Sequence, residues 1–178
     1  MGPILETRET DGLHERMMAY QEDVFRVCLG FARNPWDAED LSQEVYLKAF
    51  RTAAKIHDPG ALRTWLLRIA RNTCLDHQKK SRFFRLFLRS VNPSDIRAAP
   101  DPHDRVQTNE RLARLKEAVR RLPVKQREVF VLREYGHLSY AELAKTLDIR
   151  EGTVMSRLNR GRKAVQNFMR EARNEKSE

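Results

Sequence analysis

Apolar positions recur along most of this chain at intervals of three and four residues, the period of helices that turn one face to a core. Leu13, Met17, Tyr20, Val24, Val27 and Phe31 set up a first amphipathic helix from Leu13 to about Ala32. Asn34-Pro35 interrupts it, with Asn34 placed to cap the next helix and Pro35 in the first turn, where a missing N–H costs nothing. That second helix is predicted to run to about Lys55. The breaker His57-Asp58-Pro59-Gly60 follows, and Leu62, Leu66, Ile69 and Thr73 then set up a third helix reaching toward Lys80.

Between Asn92 and His103 the pattern lapses, and Pro93, Pro100 and Pro102 lie among Ser, Asp and Ala as in an extended linker. The expected division is a first domain over 1–91, a linker over 92–108 and a second domain over 109–178. Phe83-Phe84-Arg85-Leu86-Phe87-Leu88, just before the linker, either packs on the first domain or forms a partner surface. In the second domain Leu112, Leu115, Val119 and Leu122 form a helical stripe stopped by Pro123. A shorter helix then ends at Tyr135-Gly136, with Gly136 expected at the left-handed position that closes helices.

Ser139-Tyr140-Ala141-Glu142 has the form of a capping box, and Leu138 and Leu143 are placed to staple the helix it opens. Leu147 and Ile149 bracket a tight turn. The last helix keeps Val154, Leu158, Gly161, Val165 and Phe168 on one side. The fold class is therefore all-α, two small helical domains joined by a flexible linker, the C-terminal one a helix-turn-helix.

Composition sharpens this reading. The chain has 178 residues, few glycines and prolines, and 34 Lys+Arg against 25 Asp+Glu, a net charge of +9. Such a balance fits either a polyanionic partner, nucleic acid above all, or a merely soluble surface. Position favours the first: the outer side of the last helix presents Thr153, Ser156, Arg157, Arg160 and Lys163, hydroxyls and cations that reach phosphates and base edges in a major groove. The third helix carries Arg68, Arg71, Asn72, Lys79 and Lys80 away from its apolar stripe, suited to a DNA backbone. In the second helix Leu41, Val45 and Ala49 share a stripe and leave Asp40, Gln43 and Glu44 on an acidic surface that DNA would repel.

Other chemistries find little purchase. Cys28 and Cys74 lack metal-ligand spacing and are expected to be small buried residues. His14, His57, His77, His103 and His137 are scattered, and no phosphate-cradling glycine loop or nucleophile elbow occurs, so no catalytic residue, metal or cofactor is expected. With no apolar run after a basic start and no membrane span, the chain is read as cytoplasmic, without membrane insertion of its own.

Asp37-Ala38-Glu39-Asp40-Leu41-Ser42-Gln43-Glu44-Val45 and Arg63-Thr64-Trp65-Leu66-Leu67-Arg68-Ile69-Ala70-Arg71-Asn72-Thr73 closely resemble the second conserved region of extracytoplasmic-function sigma factors. Leu122-Pro123, Arg127-Glu128-Val129-Phe130, Tyr140-Ala141-Glu142-Leu143-Ala144 and Gly152-Thr153-Val154-Met155-Ser156-Arg157-Leu158 resemble their fourth region. The resemblance implies a non-enzymatic initiation factor whose partners are core RNA polymerase, double-stranded and locally melted promoter DNA, and an anti-sigma factor. It assigns Asp40, Gln43 and Glu44 to the clamp coiled coil of the polymerase, where physics alone would also allow a solvated face.

The resemblance further implies that Arg68, Arg71, Asn72, Lys79 and Lys80 meet the minus-10 element, with Asn72 on the non-template strand and the loop Ile56 to Ala61 around a flipped base. Trp65 could stack on a base, but its spacing with Leu62 and Ile69 favours a core role. Thr153, Ser156, Arg157, Arg160 and Lys163 would meet the minus-35 element, and the linker would thread toward the polymerase active-site channel. Met155 stands where many members carry a cation, so the minus-35 sequence itself does not carry over. The alternative is a stand-alone helix-turn-helix DNA-binding transcriptional regulator, which would need neither the acidic face nor a second cationic helix.

Overall fold

The computed structural model describes residues 12–53, 56, 58–91 and 110–174, with side chains omitted at 59, 84–91 and 172–174. The regular structure among them is helical: α1 over 12–18, α2 Gln21–Phe31, α3 Pro35–Thr52, a 3-10 turn Pro59–Ala61, α4 Leu62–Val91, α5 Glu110–Arg121, α6 Val124–Glu134, α7 Tyr140–Leu147 and α8 Glu151–Asn174. Helices α1–α4 make one bundle and α5–α8 another. The expected linker, 92–108, lies outside the described residues, as do the side chains of Phe84 to Leu88; Phe83 stands in solvent.

The single helix expected over 13–32 is broken at Ala19-Tyr20. The Met17 carbonyl accepts from the Tyr20 N–H at 3.1 Å and from the Tyr46 hydroxyl at 3.1 Å. A side chain from α3 and a short-range N–H thus occupy the acceptor that an unbroken helix would offer four residues on. Tyr46 pins the break from 29 positions away.

Helix α3 starts as its sequence dictates, with Asn34 Oδ1 accepting from the Asp37 N–H at 2.8 Å and Pro35 in the first turn. It ends at Thr52, short of Lys55. Helix α4 instead outruns its expected end by a wide margin: no glycine or proline interrupts its 30 residues, which span about 45 Å. Its inner side buries Leu62, Leu66, Leu67, Ala70 and Cys74 against Val24, Val27, Leu41 and Val45. Each of these leucines and valines contributes about 1.5–3 kcal/mol by leaving water.

In the second bundle Val119, Val129, Leu132, Leu138, Leu143, Val154 and Leu158 form the centre. The left-handed residue after α6 is His137, φ 52°, and not Gly136. The correction has a steric cause: the exposed His137 tolerates that conformation, while Gly136 is needed for room. A Cβ on Gly136 would sit 2.8 Å from the Leu132 carbonyl and 3.0 Å from Val27 Cγ2.

Both halves of the capping box form. Ser139 Oγ accepts from the Glu142 N–H at 3.2 Å, and Glu142 Oε2 accepts from the Ser139 N–H at 2.7 Å, over the buried pair Leu138 and Leu143. Asp148, φ 52°, turns the chain, and the Ile149 N–H closes on the Ala144 carbonyl at 3.0 Å. Ser139→Ala should lower stability by about 1 kcal/mol in urea unfolding, and an unchanged midpoint would show that the box is energetically idle.

The hydrogen bonds from the Ser139 backbone and hydroxyl hold the Glu142 carboxyl below its ordinary value of 4.5. A depressed folded pKa adds stability that is fully present above the unfolded pKa and is lost as pH falls through the folded one. Acidification below about pH 4.5 should therefore cost the wild type more stability than Glu142→Gln. Parallel losses in urea melts at neutral and acidic pH would contradict this.

Candidate functional site

Three surfaces carry the residues singled out by sequence. On α3, Leu41, Val45 and Ala49 point inward, while Asp40 and Gln43 are exposed and Glu44 is half-exposed. Glu44 pairs with Lys48 at 2.7 Å, and Lys48 in turn reaches Thr73 Oγ1 at 3.2 Å. Sequence reasoning missed the apolar members of this face: Trp36 and Leu47 are 60% and 58% exposed. The spacing 36, 40, 43, 47 puts them in line with Asp40 and Gln43, so the helical period that located the core could also have found them.

On α4 the five expected DNA contacts divide. At about 100° per residue, Arg68, Asn72 and Lys79 share one exposed line, while Lys80, also exposed, is turned roughly 100° from Lys79. Arg71 diverges toward the second bundle. Its Nη1 donates to Asn72 Oδ1 at 2.7 Å and its Nη2 to Glu128 Oε2 at 2.7 Å, and Glu128 is buried. Lys79 pairs with Asp76 at 3.3 Å.

Trp65 is half-buried and packs on the core, as its spacing with Leu62 and Ile69 implies. In the loop before α4, Ile56 packs on the core and Asp58 Oδ1 accepts from the Gly60 N–H at 2.8 Å; His57 lies outside the described residues. Arg63, to which sequence reasoning gave no role, donates from Nε to Asp23 Oδ2 and from Nη2 to the Gly136 carbonyl, both at 2.6 Å. Burial pushes the Asp23 carboxyl up, but Arg63 and Arg26 outweigh it and hold the group below its ordinary value.

The third surface is the outer side of α8. Val154, Leu158, Gly161 and Val165 are buried, Thr153, Ser156 and Arg157 are half-buried, and Arg160 and Lys163 are exposed. Ser156 Oγ donates to the Thr153 carbonyl at 3.0 Å, and Arg160 Nε to the Ser156 carbonyl at 3.3 Å. Among the described residues no acidic side chain forms a salt bridge with Arg157, Arg160 or Lys163.

Neighbouring cations fix how α8 is rotated. Arg162 donates from Nε and Nη2 to Glu134 Oε1 of α6, at 2.9 and 2.6 Å, and the Arg121 guanidinium of α5 lies 4.7 Å over the Phe168 ring. Gly152, in the first turn, is open to solvent, and a Cβ there would meet nothing within 4 Å. Packing within the chain therefore does not demand that glycine. Met155 is exposed beside it.

The described residues hold no cluster of three His, Cys, Asp or Glu side chains able to bind a metal ion. Cys28 and Cys74 are both buried, as expected of small residues without metal-ligand spacing, and the neighbouring Cys28 together with burial pushes the Cys74 thiol up. Among the described residues no helix is long and apolar enough to cross a membrane.

The chain matches the Sigma-70 region 2 family over residues 17–84 and the Sigma-70 region 4 family over residues 112–165. The ECF RNA polymerase sigma factor SigE of Mycolicibacterium smegmatis is 33% identical over 159 residues, 87% of this chain, which spans only 60% of that protein's length. SigC of Mycobacterium tuberculosis, also an ECF RNA polymerase sigma factor, is 32% identical over 147 residues, covering 83% of this chain and 77% of that one. The fold is shared with the sigma factor RpoE of Bartonella quintana, solved with the anti-sigma factor NepR, at a TM-score of 0.68, 22% identity and coverages of 88% and 96%.

Proposed function

Because the chain belongs to the extracytoplasmic-function sigma factors of the sigma-70 family, we propose that it lends core RNA polymerase its promoter specificity through three divided surfaces. The α3 face of Asp40, Gln43 and Glu44, extended by Trp36 and Leu47, meets the polymerase clamp. On α4 the exposed line of Arg68, Asn72 and Lys79, flanked on one side by Arg71 and on the other by Lys80, meets the melted minus-10 strand. The α8 face of Thr153, Ser156, Arg157, Arg160 and Lys163 meets the minus-35 duplex. The domain limits that go with this reading are 1–91, 92–108 and 109–178.

The observation that carries the reading is the presence, in one chain, of an acidic face bearing exposed apolar side chains and two separate cationic helices. Nucleic acid repels the first and attracts the others. Gly152 adds support, since a helix N-terminus without a Cβ admits a phosphate close to its free N–H groups. The factor supplies contacts and leaves phosphoryl transfer to the polymerase, works where that polymerase works, in the cytoplasm, and is held by an anti-sigma protein as its structural neighbour is.

The deciding experiment is transcription in vitro with sigma-free core polymerase on fragmented host DNA, sequencing transcript 5′ ends. Starts that depend on the protein and share two spaced upstream motifs are expected. Footprints from the protein alone, without such starts, would favour a stand-alone regulator.

Two substitutions test the surfaces separately. Asp40→Ala with Glu44→Ala should weaken core polymerase binding, read by fluorescence anisotropy, without loss of helicity; unchanged affinity would remove the role of that face. Arg157→Ala should cost about 1–3 kcal/mol of promoter affinity and relax the preference at one position if it reads a base. A uniform loss across sequences would instead make Arg157 a phosphate contact.

A further inference from the structure

The two bundles do not stand apart: α6 packs on α2 and α4, and α7 on α4. Two glycines give the contact its closeness. A Cβ on Gly30, in the last turn of α2, would lie 2.6 Å from Val131 Cγ1 of α6 and 3.3 Å from the ring of Tyr135, which caps that helix. A Cβ on Gly136 would crowd Val27 Cγ2 at 3.0 Å and Leu67 Cδ1 at 3.3 Å. Glycine weakens a helix relative to alanine, so Gly30 is a local cost that only the close approach of the second bundle explains.

Polar groups complete the contact. Arg63 closes the carbonyl of Gly136, and Arg127 Nη2 donates to Gln78 Oε1 at 2.6 Å while Gln78 Nε2 donates to the Phe31 carbonyl at 3.0 Å. Beside them lies the Arg71–Glu128 pair. Arg71, Asn72 and Lys79 line a cleft of about 740 Å³ whose opposite wall is Arg120, Val124, Arg127 and Glu128.

We propose that the C-terminal bundle is an autoinhibitory clasp, in which the Glu128 carboxylate occupies the Arg71 guanidinium in place of a DNA phosphate. The proposal rests on the reading that α4 meets the minus-10 strand. Its geometry agrees with the span required: elements centred about 25 base pairs apart are about 85 Å apart on straight duplex. A closed protein of this length has a radius of gyration of only about 16 Å, so α4 and α8 cannot hold both elements while the bundles touch. The segment 92–109 can extend to about 60 Å, which leaves room for the bundles to separate.

Gly30→Ala is the sharp test, because it strengthens α2 and places a methyl group where Val131 sits. The full-length protein, without polymerase, is measured by small-angle scattering and by anisotropy with a short randomised single-stranded oligonucleotide. The wild type should be compact, whereas Gly30→Ala should expand and bind the oligonucleotide several-fold more tightly. Adding Arg71→Ala to it should erase the gain.

Glu128→Gln, which keeps the side-chain shape and removes the charge, should tighten binding in the same direction and serves if Gly30→Ala loses helicity. An extended wild type, or an opened variant with unchanged oligonucleotide affinity, overturns the clasp. Neither readout involves polymerase, so failure here is distinct from failure of the sigma reading, which the transcription experiment decides.

Discussion

Helix α4 buries Leu62, Leu66, Leu67, Ala70 and Cys74 on one side, and the first bundle takes its order from that stripe. Because 30 residues pass without a glycine or proline, the helix is a single rod, and whatever faces outward along it has a fixed angular relation to the core. Arg63, Arg71 and Gln78 stand about two turns apart along it and all reach toward the second bundle. The exposed line of Arg68, Asn72 and Lys79 lies beside them. Rotating or bending α4 would disturb the core, the contact between bundles and the cationic face together.

The local signals in the sequence were legible wherever a few neighbouring residues decide the outcome. Asn34-Pro35 opens α3 and the Ser139–Glu142 box opens α7 because each needs only atoms within one helical turn. The break at Ala19-Tyr20 was not legible, since the Tyr46 hydroxyl that takes the Met17 carbonyl arrives from another helix. Gly136 illustrates a different failure. Its composition signal was sound, but glycine serves two purposes, and here close packing decided it while His137 took the left-handed conformation.

Site residues follow the same division. Asp40, Gln43, Arg160 and Lys163 point outward as periodicity says, because an amphipathic helix leaves them no other direction. Arg71 was assigned by the same logic, and its place on the helix is as expected. What periodicity omits is Glu128, 57 positions later, which meets it across the two bundles. Arg63 carries no positional signal of its role, because its two acceptors, Asp23 and the Gly136 carbonyl, are both distant in sequence.

The burial of Glu128 separates two kinds of ion contact that α4 can make. Its side chain is 8% exposed and that of Arg71 25%, so their pair is screened less than contacts between surface cations and DNA phosphates, which weaken steeply as salt rises. Ionic strength therefore does more than loosen this protein from DNA. On the proposed reading of α4, rising salt penalises its exposed cations more than the half-buried Arg71–Glu128 pair, and the salt concentration of the cell becomes a weight on which partner Arg71 keeps.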